Sequence, residues 1–247
     1  MGAMGRALAS SLVTAGRDVT VWNRTPRSLP GVTVAASVAD AVAASPLVVV
    51  CVVDYAAMWS FLPDVSGRTV VNLTNGTPRQ ARDAAATLGS SYVDGGIMAV
   101  PSMIGGPGSL VLYSGAEDAF EKARPTLEIW GEARFVGDDP GRAALYDLAL
   151  LSAMYGMFGG VYQALALAGP EIRPLLEPWL AAMSRSLPDG EDTSDSNLAM
   201  QARAYVNLLD ASRDQGIRTD LVAPMGDLLN RGATAAPGTT LVDLLRE

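Results

Sequence analysis

The first residues of the chain have the types and spacing of a phosphate-binding turn. Gly2 and Gly5 keep the spacing of the last two glycines of the pattern Gly-x-Gly-x-x-Gly, and residues 6–15 after them predict a helix. Glycine lets the backbone approach a pyrophosphate closely, and the free N–H groups at the start of a helix attract its negative charge. We therefore expect Gly2, Ala3 and Met4 to contact the phosphates of a bound nucleotide.

The end of the strand predicted at residues 18–22 indicates which nucleotide binds. An acidic residue at this position would hydrogen-bond the ribose 2′-hydroxyl of NAD. The chain instead has Asn23, Arg24 and Thr25, followed by Arg27. Because guanidinium groups suit a 2′-phosphate, we expect these four residues to bind NADPH rather than NADH.

Segments of β-type and helical character alternate over residues 1–140. This alternation predicts an α/β fold of the Rossmann type, a doubly wound, mostly parallel sheet with helices on both faces. The continuous apolar run at 47–53 is typical of a strand buried on both faces. Ligands of such sheets bind at the carboxyl ends of the strands. The residues there that we expect to contact the cofactor are Val52, Val53, Asn72 and Thr74.

The character of the chain changes after Pro140, because every later segment has helical spacing. Residues 141–168 predict one long helix interrupted by glycines, and 172–186, 195–215 and 219–231 predict shorter ones. We therefore predict a dinucleotide-binding domain over 1–140, an interdomain helix over 141–168 and an all-helical domain over 169–247. So small a helical domain, joined to a long apolar helix, favours association with a second copy of the chain as a homodimer.

Composition excludes several classes of site. The chain has no histidine and a single cysteine, Cys51, which excludes Ser-His-Asp hydrolysis and the usual zinc sites. Its one lysine, Lys122, falls in a predicted solvent-facing helix, which disfavours Schiff-base chemistry. The net charge of −8 argues against nucleic acid or anionic membrane as a partner. We find no apolar run of membrane-span length and no leader, so we expect a cytoplasmic protein.

Several longer segments carry a family resemblance. They are GAMGRALA, VTVWNRTP, ASPLVVVCVVDY, RTVVNLTNGTPRQAR, YVDGGIMAVPSMIG, LYSGAEDAFEKARPTLEIWG and VGDDPGRAALYDLALLSAMYG. Together they cover most of residues 2–168, and they resemble the NADPH-dependent imine reductases, a branch of the β-hydroxyacid dehydrogenase superfamily. In that family a further strand and a first glycine precede the position of Gly2. We therefore expect the sheet of this chain to lack its first strand.

The resemblance implies a reaction and an assembly. Imine reductases transfer a hydride from NADPH to the C=N carbon of a cyclic imine or iminium ion. They are domain-swapped homodimers, with the catalytic cleft between the nucleotide domain of one chain and the helical domain of its partner. The resemblance implies the same substrate class and assembly for this chain.

The resemblance also implies a catalytic residue. In imine reductases the start of the long helix carries an acid or a tyrosine that points toward the substrate, and the matching residue here is Asp147. Burial among leucines would raise the pKa of Asp147 toward the range that favours a general acid. The alternative is a structural aspartate that opposes the helix dipole or pairs with Arg142.

The substrate pocket follows from the same resemblance. We expect Met98, Val100 and Met154 to line an apolar pocket, with Tyr155 and Trp179 as further contacts. For both aromatic residues, ordinary packing is an equally good interpretation. An aspartate on the helix with a small aliphatic residue in the loop resembles the group of imine reductases that yields (R)-amines.

Two other functions stay open from the sequence. β-Hydroxyacid dehydrogenases carry a serine in the loop that here reads Gly-Ile-Met-Ala-Val at 96–100, and a lysine early in the long helix, which 141–168 lacks. Both departures disfavour a hydroxyacid substrate. The incomplete glycine pattern favours a third possibility, a cofactor-binding protein without turnover.

Overall fold

The computed structural model describes residues 1–25, 27–185, 198–236 and 239–246. The chain divides into two compact units, Met1–Leu151 and Ser152–Glu247. The first unit alternates strands and helices, and the described part of the second is helical. The predicted fold class, a Rossmann-like α/β domain followed by a long helix and a helical domain, is confirmed.

The strands of the first unit form two sheets. They are β1 (Thr20–Val21), β2 (Thr33–Val34), β3 (Leu47–Val50), β4 (Thr69–Asn72), β5 (Tyr92–Met98), β6 (Leu110–Gly115) and β7 (Glu132–Phe135). Strands β1 and β2 pair in parallel as a two-stranded sheet, and the other five lie in the order β3-β4-β5-β6-β7. All neighbours in the larger sheet are parallel except β5 and β6, which are antiparallel.

The expectation that residues 47–53 are buried on both faces is wrong. Strand β3 lies at an edge of the five-stranded sheet, so only Val50 of its four residues is buried. Val53, beyond the end of the strand, is 83% exposed. Cys51 is half-buried, and this burial raises the pKa of its thiol.

Three helices of the first unit begin at residues whose side chains accept hydrogen bonds from free backbone N–H groups. The helices of this unit are α1 (Ala3–Thr14), α2 (Val38–Ala43), α3 (Tyr55–Phe61), α4 (Pro78–Leu88) and α5 (Glu117–Leu127). Ser37 and Thr77 each form a capping box at the start of α2 and α4, and Asp54 caps α3. Such caps are worth about 1 kcal/mol each. In contrast, the amino end of α1 at Gly2 has no side-chain cap.

Buried apolar side chains form two separate clusters, because successive side chains of a strand point to opposite faces of the sheet. Val93 of β5 belongs to a cluster with Tyr113, Phe120 and Trp130. Tyr92, its neighbour in sequence, belongs to the other cluster. That second cluster includes Tyr55, Met58, Val70, Ala81, Ala84 and Ala144.

Helix α6 (Arg142–Ala168) is continuous over 27 residues and passes from the first unit into the second. The expectation that glycines interrupt it is therefore wrong. This helix is long and apolar enough to cross a membrane, by length and composition only, and 11% of its most apolar stretch is buried. Our expectation that no segment reaches that length is also wrong. Residues on its surface include Leu145, Leu148, Leu150, Tyr155, Met157 and Tyr162.

The described part of the second unit contains α7 (Arg173–Arg185), α8 (Leu198–Asp214) and α9 (Ala223–Thr234). Residues 195–197 of the helix predicted at 195–215 lie outside the described residues. A buried pair joins α6 to α8, since Gln163 Nε2 donates to Ser212 Oγ at 2.9 Å. Gly226 of α9 lies close to the ring of Tyr205, which donates its hydroxyl hydrogen to the carbonyl of Val222.

Candidate active site

Asp147 is paired with an asparagine that follows β4. Its side chain is buried, with 7% of its surface exposed. Asn75 Nδ2 donates to Asp147 Oδ2 at 2.8 Å. Burial raises the pKa of Asp147, and the hydrogen bond from Asn75 opposes this effect, because a donor to a carboxylate favours its charged form. Arg142 donates instead to the carbonyl oxygen of Val136 at 3.0 Å.

The start of α6 is held against the sheet by polar contacts. Ser114 Oγ of β6 donates to the carbonyl oxygen of Pro140 at 3.0 Å and accepts from the backbone N–H of Ala143 at 2.9 Å. Asp139, which lies just before the helix, accepts two hydrogen bonds of 2.8 Å from the guanidinium group of Arg82. These contacts fix the end of α6 from which Asp147 projects.

Gly96 of β5 provides the surface on which Asp147 lies. A Cβ placed on Gly96 would be 2.9 Å from the Cβ of Asp147 and 3.4 Å from its Cγ. This is too close for a side chain. The site therefore needs glycine at this position for reasons of space.

A buried polar cluster lies beside this pair, formed by Tyr55, Asn72, Tyr92 and Asp94. Asp94 Oδ1 accepts from the hydroxyls of Tyr55 at 2.7 Å and Tyr92 at 2.9 Å. Asn72 Nδ2 in turn lies 3.1 Å from the Tyr92 hydroxyl, to which it donates. Burial raises the pKa of Asp94 to about 6, the two tyrosine hydroxyls oppose this effect, and the charge of Asp147 adds to it.

Neither Asn75 nor Asp94 was among the predicted site residues. Asn75 stands in a sequence, Thr-Asn-Gly-Thr-Pro, that reads equally well as a turn. Asp94 is an acid within a strand that is otherwise apolar or glycine from Tyr92 to Met98. An acid in a buried strand costs free energy unless it is partnered, and that was the signal available for Asp94.

The predicted cofactor residues at the ends of β3 and β4 are linked to each other. Asn72 and Thr74 are both buried. The backbone N–H of Thr74 donates to Asn72 Oδ1 at 3.1 Å, and the backbone N–H of Val52 donates to Thr74 Oγ1 at 3.2 Å. These bonds order the carboxyl ends of two neighbouring strands. Their contact with a cofactor stays a prediction.

A cavity of about 700 Å³ opens at the amino end of α1. Its lining includes Gly2, Ala3 and Arg27, and also Arg6, which sequence reasoning missed. Two guanidinium groups at an uncapped helix start suit the phosphate groups of a nucleotide.

The remaining residues of the predicted ribose site are not part of the lining described for this cavity. Arg24 and Thr25 are exposed and do not line this cavity. Asn23 Nδ2 donates to the carbonyl oxygen of Thr25 at 2.7 Å, which closes a local turn.

The predicted substrate contacts are spread over both units. Met98 is half-buried and Val100 is 56% exposed in the first unit. Met154, Tyr155 and Trp179 belong to the second unit. Trp179 lines an apolar groove with Ile172, Leu175, Leu176 and Pro178. Assembly of these five predicted contacts around one substrate stays a prediction.

Comparison with known proteins identifies the family. Residues 1–137 match the NAD-binding domain of 6-phosphogluconate dehydrogenase, and 139–247 match the C-terminal domain of NADPH-dependent reductive aminase-like proteins. The chain is 36% identical to an NADPH-dependent reductive aminase from Aspergillus oryzae, over 96% of this chain and 91% of that one. The chain belongs to the family of NADPH-dependent reductive aminases and imine reductases.

Solved structures of this family agree with that assignment. A reductive aminase from Aspergillus terreus, solved with NADPH4, cyclohexanone and allyl amine, is 39% identical with a TM-score of 0.89, covering 99% of this chain and 95% of that one. An imine reductase from the same organism, solved with NADPH4 and dibenz[c,e]azepine, is 38% identical with a TM-score of 0.87, covering 100% and 96%. The predicted imine reductase resemblance and the class of oxidoreductase are confirmed.

Proposed function

We propose that this chain transfers a hydride from NADPH to the C=N carbon of an imine or iminium ion, with Asp147 as the catalytic residue. The observation that carries this proposal is the hydrogen bond of 2.8 Å from Asn75 to the buried Asp147, within a chain of the reductive aminase and imine reductase family. The family supports the reaction, and the pair supplies a titratable group whose carboxyl is largely removed from solvent.

The chemistry asks two things of the protein. NADPH, when bound, supplies the hydride. A protonated nitrogen makes the C=N carbon a better hydride acceptor, so a group beside the nitrogen must either donate a proton or stabilise the cation. Protonated Asp147 can do the first and ionised Asp147 the second. The Asn75 amide orients the carboxyl group for either role.

The cofactor residues follow from the cavity at the start of α1. Gly2, Ala3 and Met4 would bring the backbone and the helix start to the phosphates. Arg6 and Arg27, which line the cavity, would neutralise them. We assign the residues around the ribose, and those at the ends of β3 and β4, as predicted: Asn23, Arg24, Thr25, Val52, Val53, Asn72 and Thr74.

The relatives suggest the substrate range. One was solved with dibenz[c,e]azepine and the other with cyclohexanone and allyl amine. We propose that this chain reduces preformed cyclic imines and also couples a ketone with an amine. Met98, Val100, Met154, Tyr155 and Trp179 would form the pocket, with (R)-amines as products.

We further propose that the chain acts as a homodimer, with α6 joining a dinucleotide-binding domain (1–140) to a helical domain (169–247). The exposed apolar residues of α6 and the exposed Leu175 and Trp179 of α7 would be covered by a second copy of the chain. This covering, rather than lipid, accounts for an apolar helix that also carries a buried polar pair, Gln163 with Ser212. The dimer would be cytoplasmic.

The decisive experiment is NADPH oxidation at 340 nm with a simple cyclic imine, beside Asp147→Asn. We expect the variant to lose roughly 10²–10⁴-fold in kcat, the usual contribution of a general acid, with NADPH affinity unchanged. Asp83→Asn, at an exposed position of α4, is the matched control and should keep full activity. Binding of NADPH without turnover in the unmodified chain would favour a cofactor-binding protein instead.

Two further measurements complete the proposal. Chiral analysis of the amine product tests the (R) preference, and an (S) excess would contradict it. Light scattering after gel filtration gives the mass in solution, and the 25.7 kDa mass of one chain would contradict the dimer.

A further inference from the structure

The carboxyl group of Asp94 lies on the same face of β5 as the surface that supports Asp147. Residues two apart in a strand point to the same face, so Asp94 and Gly96 share one face, and Asp147 lies against Gly96. Gly95 between them faces the other way, toward Leu73 and Tyr113. Asp94 is therefore one strand repeat, roughly 7 Å, from the support of Asp147.

The surroundings of Asp94 contain hydroxyls, an amide and one other carboxylate. Tyr55 of α3 and Tyr92 of β5 donate to it, and Asn72 of β4 donates to Tyr92. From α6 the charged group is Asp147. Ser114 of β6, opposite Asp94 in register, is bonded to Pro140 and Ala143.

The two carboxylates have no cationic partner within the described residues, where no ion pair joins Asp94 or Asp147 to an arginine or the lysine. The charge of Asp147 therefore adds to the effect of burial, and both raise the pKa of Asp94.

A second link runs through the ring of Tyr55. A Cβ placed on Gly76 would be 2.3 Å from Cε2 of Tyr55, so the ring lies directly on the Asn75–Gly76 turn. The hydroxyl of the same ring is held by Asp94 at 2.7 Å. Asp94 thus braces the turn that presents Asn75 to Asp147.

We propose that Asp94 is a positioning residue for imine reduction: its carboxylate, behind the Asn75–Asp147 pair, holds the ring of Tyr55 against the Asn75–Gly76 turn and so keeps Asn75 in place to donate to Asp147. The proposal rests on the assigned role of Asp147. The hydrogen bond from Asn75 favours the ionised form of Asp147, so loss of this positioning makes Asp147 a weaker acid.

The first test observes the carboxyl groups directly, without catalysis. Infrared difference spectra of the full chain, taken from pH 4 to pH 8, report protonated carboxyl C=O bands. In Asp147→Asn the remaining Asp94 band should titrate about half to one pH unit lower than in the unmodified chain. In Asp94→Asn the Asp147 band should move the other way, to higher pH, because a displaced Asn75 no longer favours the ionised form. If a variant removes its own carboxyl band and leaves the band of the other carboxyl group unmoved, the proposal is overturned.

The second test is the pH profile of kcat/KM for one cyclic imine, compared between the unmodified chain and Asp94→Asn. The limb that depends on Asp147 should move to higher pH by about half to one unit, whether Asp147 acts protonated or ionised, because a displaced Asn75 no longer favours the ionised form. A uniform loss of kcat/KM at every pH, with no shift, would show a merely structural role and overturn the proposal. Asp83→Asn is again the control and should leave the profile unmoved.

The two tests separate this proposal from the proposed function. If no imine is reduced, the infrared titration still shows whether replacement of one carboxyl group shifts the titration of the other. The Asp147→Asn arm leaves Asp94 and its hydroxyl partners intact, so it remains informative if Asp94→Asn fails to fold.

Discussion

Gly96 and Asp147 are in contact across the boundary between β5 and α6. A Cβ on Gly96 would lie 2.9 Å from the Cβ of Asp147 and 3.4 Å from the backbone oxygen of Ala143. Both neighbours belong to the first turns of a helix anchored by Ser114. Any side chain at position 96 must therefore displace the helix that carries the proposed catalytic acid.

Gly96→Ala should lower kcat/KM for imine reduction by about 10²-fold, because a displacement of about 1 Å in a reacting group costs that much. NADPH affinity should stay unchanged, since the cavity of α1 lies elsewhere. Steady-state kinetics and NADPH fluorescence titration give the two numbers.

Gly95→Ala is the matched control, because its Cβ would meet Leu73 and Tyr113 on the opposite face, at 2.6 and 3.1 Å. Overpacking of this kind costs about 1–3 kcal/mol of stability. It should therefore appear in the unfolding midpoint more than in kcat. Full activity in Gly96→Ala would show that the contact does not position Asp147.

Asn75→Ala removes the one hydrogen bond shown to favour ionised Asp147. The pKa of Asp147 should rise, so the Asp147-dependent limb of the kcat/KM profile should move to higher pH, in the same direction as in Asp94→Asn. We also expect roughly a tenfold lower kcat/KM from lost orientation.

Asn230→Ala on α9 is its control, because Asn230 is exposed and should change neither quantity. A shift of the Asn75→Ala limb to lower pH would contradict the assigned direction of this hydrogen bond.

Arg27 and Arg6 should have separable effects on cofactor choice. If Arg27 binds the 2′-phosphate, Arg27→Ala should raise KM for NADPH about tenfold or more and leave NADH unaffected, because the lost charge-assisted hydrogen bonds are worth about 1.5–3 kcal/mol. If Arg6 faces the pyrophosphate, Arg6→Ala should weaken both cofactors.

Arg79→Ala, at an exposed position of α4, serves as the control for charge alone. Equal losses for NADPH and NADH in Arg27→Ala would move the 2′-phosphate assignment to another residue, with Arg24 as the next candidate.

Much of the fold was predictable because local signals agreed with it. Pro78 favours the first turn of a helix, and the structure begins α4 at Pro78. The long helix at 141–168 was predicted within a residue, but its three glycines were taken as interruptions. Packing and neighbouring turns override a propensity cost of about 1 kcal/mol per glycine.

The sheet was harder to predict than the helices. The run 47–53 is apolar enough for a central strand, but the apolar pattern does not show which strands are neighbours. Strand β3 is at an edge, so its side chains are half-buried. The antiparallel pairing of β5 with β6 was also absent from the sequence reasoning.

The sequence indicated a site residue only where that residue could be recognised without its partners in the fold. Asp147 was proposed from the family resemblance, which matched its place on the long helix. Asn75 and Asp94 were missed because their roles depend on partners 72 and 39 residues away in sequence, Asp147 and Tyr55. Such pairings are created by the fold and have no local pattern.

The raised pKa of Asp94 predicts how stability depends on pH. Its folded value of about 6 lies above the ordinary 3.8, so its contribution to stability is fully present below pH 3.8 and is lost as pH rises through 6. The free energy of unfolding should be about 1 kcal/mol greater at pH 5 than at pH 7.5 from this group. Urea unfolding at the two pH values measures it.

Asp94→Asn removes the titrating group, so the difference in unfolding free energy between pH 5 and pH 7.5 should shrink by about that 1 kcal/mol in the variant. Asp139 cannot imitate this effect, because the hydrogen bonds from Arg82 lower its pKa to about 2. The contribution of Asp139 to the free energy of unfolding is present above pH 3.8 and is lost only as pH falls through 2. A variant that keeps the full difference would show that Asp94 is already ionised at pH 5, and its burial would then have to be offset by the two tyrosine hydroxyls alone.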